Sequence, residues 1–366
     1  MENKIDEKIQ KKLYSDDNID VTTYKCPNCK GEAVFDPTLQ KMKCLYCGSE
    51  FEIENSATVS ERDLSELLTQ GQDWSEADVY QCSSCGAKEI IDQHDVSHVC
   101  PFCGTSNIVK TDELPGLKPQ GIVPFKISAE KSSQIATSWA KKKKYAPIPF
   151  KKSVKAENIH GIYNPVFTFD ADTDSFYDGR LGKYYTTYRY ENGRRVAHTE
   201  TRYFNIRGRQ QLSFDDFLVQ ASSNMPMSTI NAIEPFPTNN APEYTSEYLR
   251  GYSASTYNTS GSECWESGKR QMKAKIEAAI LKKYDYDVKS YLKVNTSFSN
   301  LHYKYILVPV YVGHYNYKNK LYNFFINGVN GKITGKTPVS FWKVFFTVLA
   351  ILLVVGGIIA YFVIFD

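Results

Sequence analysis

The chain has 366 residues, 42% of them hydrophobic and 23% charged, with a formal net charge of +3. That length suits two or three folded units, and the balance excludes disordered, collagen-like and strongly polyanion-seeking classes. Twenty-six tyrosines and twenty phenylalanines favour pleated, half-buried surfaces, so the fold class expected is α+β with a β-rich body.

Residues 1–20 form a polar segment without the apolar run of a secretory signal. The chemistry begins after it. Cys26, Cys29, Cys44 and Cys47 make two Cys-x-x-Cys pairs, and Cys82, Cys85, Cys100 and Cys103 repeat them at an offset of 56. Fourteen residues separate the inner cysteines in both sets, which marks an internal duplication. Two residues between cysteines let a tight knuckle aim both sulfurs at one ion. Two knuckles joined by a hairpin complete a tetrahedron. Gly31, Gly48, Gly86 and Gly104 follow the second cysteines, where positive φ is expected. Ala33-Val34-Phe35 and Glu89-Ile90-Ile91 read as strands. Two tandem four-cysteine zinc ribbons are thus expected at 21–54 and 80–114. The helical linker between them, 55–79, has Ser60 capping a helix that runs to about Thr69.

Four thiolates leave no open ligand position, so the expected cofactors are two structural Zn2+. Iron in a rubredoxin-like site satisfies the same spacing, which by itself does not separate the two metals. Disulfides are disfavoured because nothing directs secretion. His94 and His98, four residues apart in the second hairpin, are not needed for a complete ligand set. Tyr24 to Ile53 carries four Lys against three Glu and one Asp, and Tyr80 to Lys110 two Lys against one Glu and two Asp. The cationic footprint of phosphate binding is missing from both, so docking of proteins or a structural role is the preferred reading.

The body is expected at 115–338, with a strand at Ile122–Ile127 and a helix at Ala129–Lys144 ended by Pro147 and Pro149. Seven lysines fall in fifteen residues, namely Lys141, Lys142, Lys143, Lys144, Lys151, Lys152 and Lys155. They read as a solvated helix end or as a contact for anionic lipid headgroups, with nucleic acid a third reading. Gly161 to Leu212 holds strands with turns at Asp178-Gly179 and Asn192-Gly193. Ser262 to Tyr284 reads as an amphipathic helix with Trp265, Met272, Ile276, Ala279 and Ile280 inward. Cys264 near its start reads as a packed small hydrophobe rather than a nucleophile. Strands are expected at Tyr303–Val312, Gly313–Lys318 and Leu321–Asn327, with turns at Lys318-Asn319-Lys320 and Asn330-Gly331. Pro165 and Pro309 sit in similar tetrapeptides, Asn164-Pro165-Val166-Phe167 and Val308-Pro309-Val310-Tyr311. They suggest edge strands or strand starts in two related β units. Asn330 to Thr337 imitates a phosphate-binding loop, but Asn330 replaces its first glycine and Pro338 follows where a helix should start. No nucleophile elbow, zinc-protease helix or dinucleotide fingerprint is present, and no catalytic residue is expected.

From Val344 to Phe365 there are twenty-two residues without a charge, sixteen of them Leu, Ile, Val or Phe. At about 1.5 Å per residue they reach roughly 33 Å, and their insertion is favoured by roughly 5 to 10 kcal/mol. A single transmembrane helix is expected at 341–365. Lys332, Lys336 and Lys343 precede it and only Asp366 follows, which places the residues before it in the cytoplasm.

Taken together, CPNCKGEAVFDP (26–37), CGAKEII (85–91), CPFCGTSNIV (100–109), GIVPFKIS (121–128), GIYNPVFTFDA (161–171), EYLRGYSASTY (247–257) and the stretch 306–338 before the span carry a resemblance. The chain resembles bacterial membrane-anchored proteins with TFIIB-type zinc ribbons, typified by the membrane partners of a flotillin-like (SPFH-domain) protein in the Bacillus phage-shock-type operon. The resemblance covers roughly residues 24–366, and all eight cysteine ligand positions match. It implies a scaffold that recruits an SPFH-domain protein, and through it a PspA-like protein, to stressed membrane. The expectation is therefore a non-enzymatic membrane adaptor. The alternative is a tethered nucleic-acid-binding protein.

Overall fold

The computed structural model describes residues 25–53, 57–69, 79–90, 99–111, 117–154, 158–318 and 320–365. The polar segment 1–20, linker residues 70–78, Ile91, His94, His98, Lys155 and Asn319 lie outside them.

Strands β1 (Ala33–Asp36), β2 (Lys41–Cys44) and β3 (Glu50–Phe51) make a small antiparallel sheet around the first cysteine set. After β4 (Arg62–Asp63) and α1 (Leu64–Thr69), the strands β5 (Val79–Cys82), β6 (Lys88–Ile90) and β7 (Ile108–Thr111) carry the second set. Then come β8 (Gly121–Ile122), α2 (Ala129–Lys142) and α3 (Ile148–Ser153). Two very long strands, β9 (Ile159–Glu191) and β10 (Arg194–Gln220), lead to α4 (Met227–Ile233), β11 (Ser253–Ser255) and α5 (Gly261–Leu281). A third long strand, β12 (Val288–Tyr317), is followed by β13 (Lys320–Asn327), β14 (Ile333–Gly335) and α6 (Phe341–Phe365). The fold is α+β as expected.

The second cysteine set is part of the main sheet. Eleven strands form it, and β5, β6 and β7 continue it through β11, which pairs with both β6 and β9. The first set keeps its own sheet and rests on the body through Phe35, whose ring meets Tyr248 edge-on at 5.2 Å.

Pro165 and Pro309 lie inside the sheet, contrary to the edge-strand expectation, and the reason is local. β9 pairs in parallel with β11 at Ile162 and Tyr163, then antiparallel with β10 from Val166 onward. β12 pairs in parallel with β8 at Ile306 and Leu307, then antiparallel with β13 from Val310. Each proline sits where one neighbour leaves and the next arrives, so its missing N–H falls in a gap. Its carbonyl is still used, by Ala221 N at Pro165 and Gly328 N at Pro309. Asn164 stands opposite Val308, so the two tetrapeptides meet at their first residues and run apart from that pair along the antiparallel ladder.

Other sequence expectations need correction. Ser60 does not start the first helix, because Arg62–Asp63 pairs with β12 and Asp63 Oδ1 accepts the Ser65 N–H at 2.8 Å instead. The strand expected at 122–127 stops at Ile122, before Pro124. Helix α2 ends at Lys142, two residues early, and Pro147 stands at the N-terminal cap of α3 rather than after a helix. No turn forms at Asp178-Gly179. Gly179 is paired with Ile206 and Leu292, and a Cβ there would come within 2.9 Å of the Tyr291 carbonyl, so glycine admits a crowded neighbour rather than a reversal. Asn192-Gly193 does turn, with φ of 52° and 76°. The strands expected at 303–312 and 313–318 are one, running unbroken through Gly313, where a Cβ would strike the Phe324 ring. Residues 288–302 extend that strand where none was expected.

Two helices distant in sequence pack on the sheet. Helix α2 covers Phe125, Tyr163 and Tyr311, whose rings cluster within 5.0 Å of Phe125. Helix α5 begins with a reciprocal cap between Ser260 and Glu263 and lays Trp265, Met272, Ile276 and Ile280 inward as expected. Cys264 and Gly268 share that face, whereas Ala279 is only half-buried. Beyond the core, the long strands project as an arm. Past Gly182, where β12 ends its pairing, only β9 and β10 continue to the tip.

Candidate metal centres

All four knuckles close the same way. Lys30 N, Gly48 N, Gly86 N and Gly104 N donate to the carbonyls of Cys26, Cys44, Cys82 and Cys100, at 2.8 to 3.1 Å. Three of these donors are glycines with φ between 72° and 77°. In the first knuckle the left-handed residue is Lys30, at 57°, one position before the expected Gly31. Gly31 has another duty. A Cβ there would lie 2.5 Å from the Tyr46 ring, so its bareness lets that ring fold over the knuckle.

These turns bring each expected ligand set together. The four sulfurs of Cys26, Cys29, Cys44 and Cys47 lie within 4.8 Å of one another, and so do those of Cys82, Cys85, Cys100 and Cys103. Cys26 and Cys47, like Cys29 and Cys44, are 3.5 Å apart; Cys82–Cys103 and Cys85–Cys100 measure 3.6 and 3.7 Å. A disulfide needs about 2.05 Å, while a tetrahedron of sulfurs about 2.3 Å from one ion has edges of about 3.8 Å. The geometry fits a tetrahedral metal ion and not a crosslink.

Electrostatics agrees. Cys47 is drawn down to about 6 by the Ser49 hydroxyl and backbone N–H. Cys82 also falls to about 6. Burial opposes this, but the Thr105 hydroxyl and the N–H groups of Cys85 and Ser84 prevail. Their neighbours move the other way. Cys29 accepts the Gly31 N–H yet is pushed up to about 12 by sharing protons with Cys47 and Cys44. Cys85 rises to about 11, chiefly through burial. Burial and the Glu89 carboxylate, 3.7 Å away, raise Cys100 as well. Four crowded thiols therefore resist joint ionisation until a cation supplies the missing charge.

The two centres differ in what surrounds them. In the second, Phe102 is 5% exposed and packs with Ile162, Val310 and Phe325 in the core. Gly104 lies directly against the His314 ring. In the first, the equivalent knuckle positions Leu45 and Tyr46 are 63% and 77% exposed.

A third acidic group, Glu61, Asp170 and Asp215, has its oxygens within 4.8 Å of one another. Sequence reasoning missed it, although a lysine in the apolar run of β12 was a signal. Lys304 is 4% exposed at its side chain and sits 3.1 Å from Glu61 Oε1 and 2.7 Å from Asp216 Oδ1. Its ammonium pairs with Glu61 and Asp216 and offsets part of the negative charge, which makes this a partly buried ion-pair network. Asp170 is pushed up to about 6, first by burial and then, against the Asp216 N–H bond, by Glu61.

Cys264 is buried, and burial pushes its thiol up to about 12. Its sulfur faces the carbonyls of Gln220 and Thr259. The imitation phosphate loop is a hairpin, since Ile333–Gly335 pairs with β13. Helix α6 is the one described helix long and apolar enough to cross a membrane, and Phe341–Ile359 touches nothing that buries it.

The chain is 28% identical over 330 residues to an uncharacterized protein of Bacillus subtilis (strain 168), YdjG, and the match covers 88% of this chain and 92% of that one. No family model and no solved structure matches the chain.

Proposed function

We propose that this protein is a non-enzymatic, membrane-anchored scaffold whose first zinc ribbon docks a cytosolic partner protein. Zinc at both centres is structural in this reading, because four thiolates close the coordination shell. Helix α6 spans the membrane, and the lysines before it keep the body on the cytoplasmic side. One observation carries the docking reading. Two units with the same ligand geometry differ in their second knuckle, which is core at Phe102 and bare at Leu45 and Tyr46. An aromatic and a leucine held on a rigid turn make a small anchor of the kind protein interfaces use. The sequence resemblance supports an SPFH-domain protein as the partner, with a PspA-like protein behind it.

Full-length protein purified from membranes is expected to hold two zinc ions per chain and to co-purify with a co-expressed SPFH-domain protein. Leu45→Asp with Tyr46→Ala should lower that recovery about tenfold while leaving zinc content and membrane fractionation unchanged. Undiminished recovery overturns the docking reading, and iron or substoichiometric metal overturns the zinc assignment.

A second reading rests on the arm. Residues 183–203 carry five Lys and Arg against two Glu, a net of +3. Arg195 lies over Tyr188 at 3.8 Å and Arg202 over Tyr185 at 5.2 Å. That pairing suits nucleic acid, and salt-dependent binding of RNA or DNA by the full chain is its test.

A further inference from the structure

Residues 141–148, nearly two hundred positions before α6 in sequence, are beside its first turn in space. Ser340 donates its backbone N–H to the Tyr145 carbonyl at 2.8 Å, and Lys343 Nζ donates to the Ala146 carbonyl at 2.7 Å. From below, buried Phe150 packs with its ring centroid 4.5 Å from that of Tyr315, whose hydroxyl donates to the Lys336 carbonyl. The corner between α2 and α3 is thus pinned to the end of α6 at which the hydrocarbon would begin.

What that corner turns outward has two parts. Lys141, Lys142 and Lys144 are exposed and form no ion pair among the described residues. No Asp or Glu occurs between Lys131 and Ala156, nor between Gly335 and Phe365. Between the lysines and α3, Tyr145 and Ile148 are 44% and 60% exposed, level in the chain with buried Ala146 and Pro147. Across the junction, Val339, Phe341 and Trp342 are also bare. Lysines without acidic partners flanking an apolar tip match a bilayer surface, with phosphate at headgroup depth and hydrocarbon just beneath.

We infer that residues 141–148 form a collar on the bilayer that binds the headgroups of anionic phospholipids through Lys141, Lys142 and Lys144, with Tyr145 and Ile148 entering the acyl boundary. The collar rests on the reading of α6 as a membrane span and adds a lipid preference that a spanning helix alone does not confer.

The test uses the full chain in nanodiscs of phosphatidylcholine alone or mixed with phosphatidylglycerol, with lysine acetylation followed by mass spectrometry. In the anionic discs Lys141, Lys142 and Lys144 should react roughly fivefold more slowly than in phosphatidylcholine. Exposed Lys289 and Lys293 on the arm serve as controls and should not change. Lys141→Glu, Lys142→Glu and Lys144→Glu together should lower the phosphatidylglycerol that co-purifies with the chain, with zinc content reporting an intact fold. Equal rates in both discs, whether fast or slow, overturn headgroup recognition. Failure of the chain to enter either disc overturns the membrane span instead.

Discussion

Lys30 is the residue at which the duplicated knuckles part company. Three knuckles place glycine in the left-handed region and the first places lysine there, which costs about 1 kcal/mol. Lys30→Gly is therefore expected to stabilise the first ribbon by about 0.5 to 1 kcal/mol and to slow chelator-driven metal loss from it, read against an unchanged second site. A second residue-scale consequence concerns Asp170. Burial holds its proton to about pH 6, above the ordinary carboxylate value, so the fold disfavours its ionised form. Stability from this group is greatest below pH 4 and falls as pH rises to about 6, beyond which the loss is constant. Asp170 is half-exposed, so solvent holds the effect to about 1 to 2 kcal/mol. Asp170→Asn should flatten the decline in thermal midpoint between pH 4 and 6. A slope identical to that of the parent protein would place the titration elsewhere.

At the scale of elements, the second hairpin and the first have different duties despite one ligand pattern. Phe102 is a core residue of the main sheet, whereas Tyr46 covers only its own knuckle. Phe102→Ala should cost about 3 kcal/mol of body stability and Tyr46→Ala under about 1 kcal/mol, compared by denaturation of the metal-loaded protein. The ligand sets, the amphipathic face of α5, the Asn192-Gly193 reversal and α6 were legible because each depends on local spacing or period. The long strands were not. Gly179 and Gly313 look like interruptions in one dimension, and become close approaches only when Tyr291 and Phe324 arrive from distant chain. Pro165 and Pro309 misled for the same reason, since the gaps that accommodate them are made by β8 and β11. The Lys304 network was hidden too, because Glu61, Asp170 and Asp216 converge on it from separate elements.

For the whole molecule, the two cysteine units proved unequal members of the architecture. One is a strand-for-strand extension of the body's sheet, and the other a lodger on its surface, a difference that eight identically spaced cysteines do not encode. The junction with α6 has a mechanical consequence. Two residues separate Pro338 from Phe341, and the intervening backbone is already tied to Tyr145. A rope of loose chain would let the body swing freely. This coupling is a stiff bracket: if α6 spans a bilayer as proposed, a partner docked on Tyr46 would be carried at one bearing and one height, and neighbouring copies would present their cargo in a common plane.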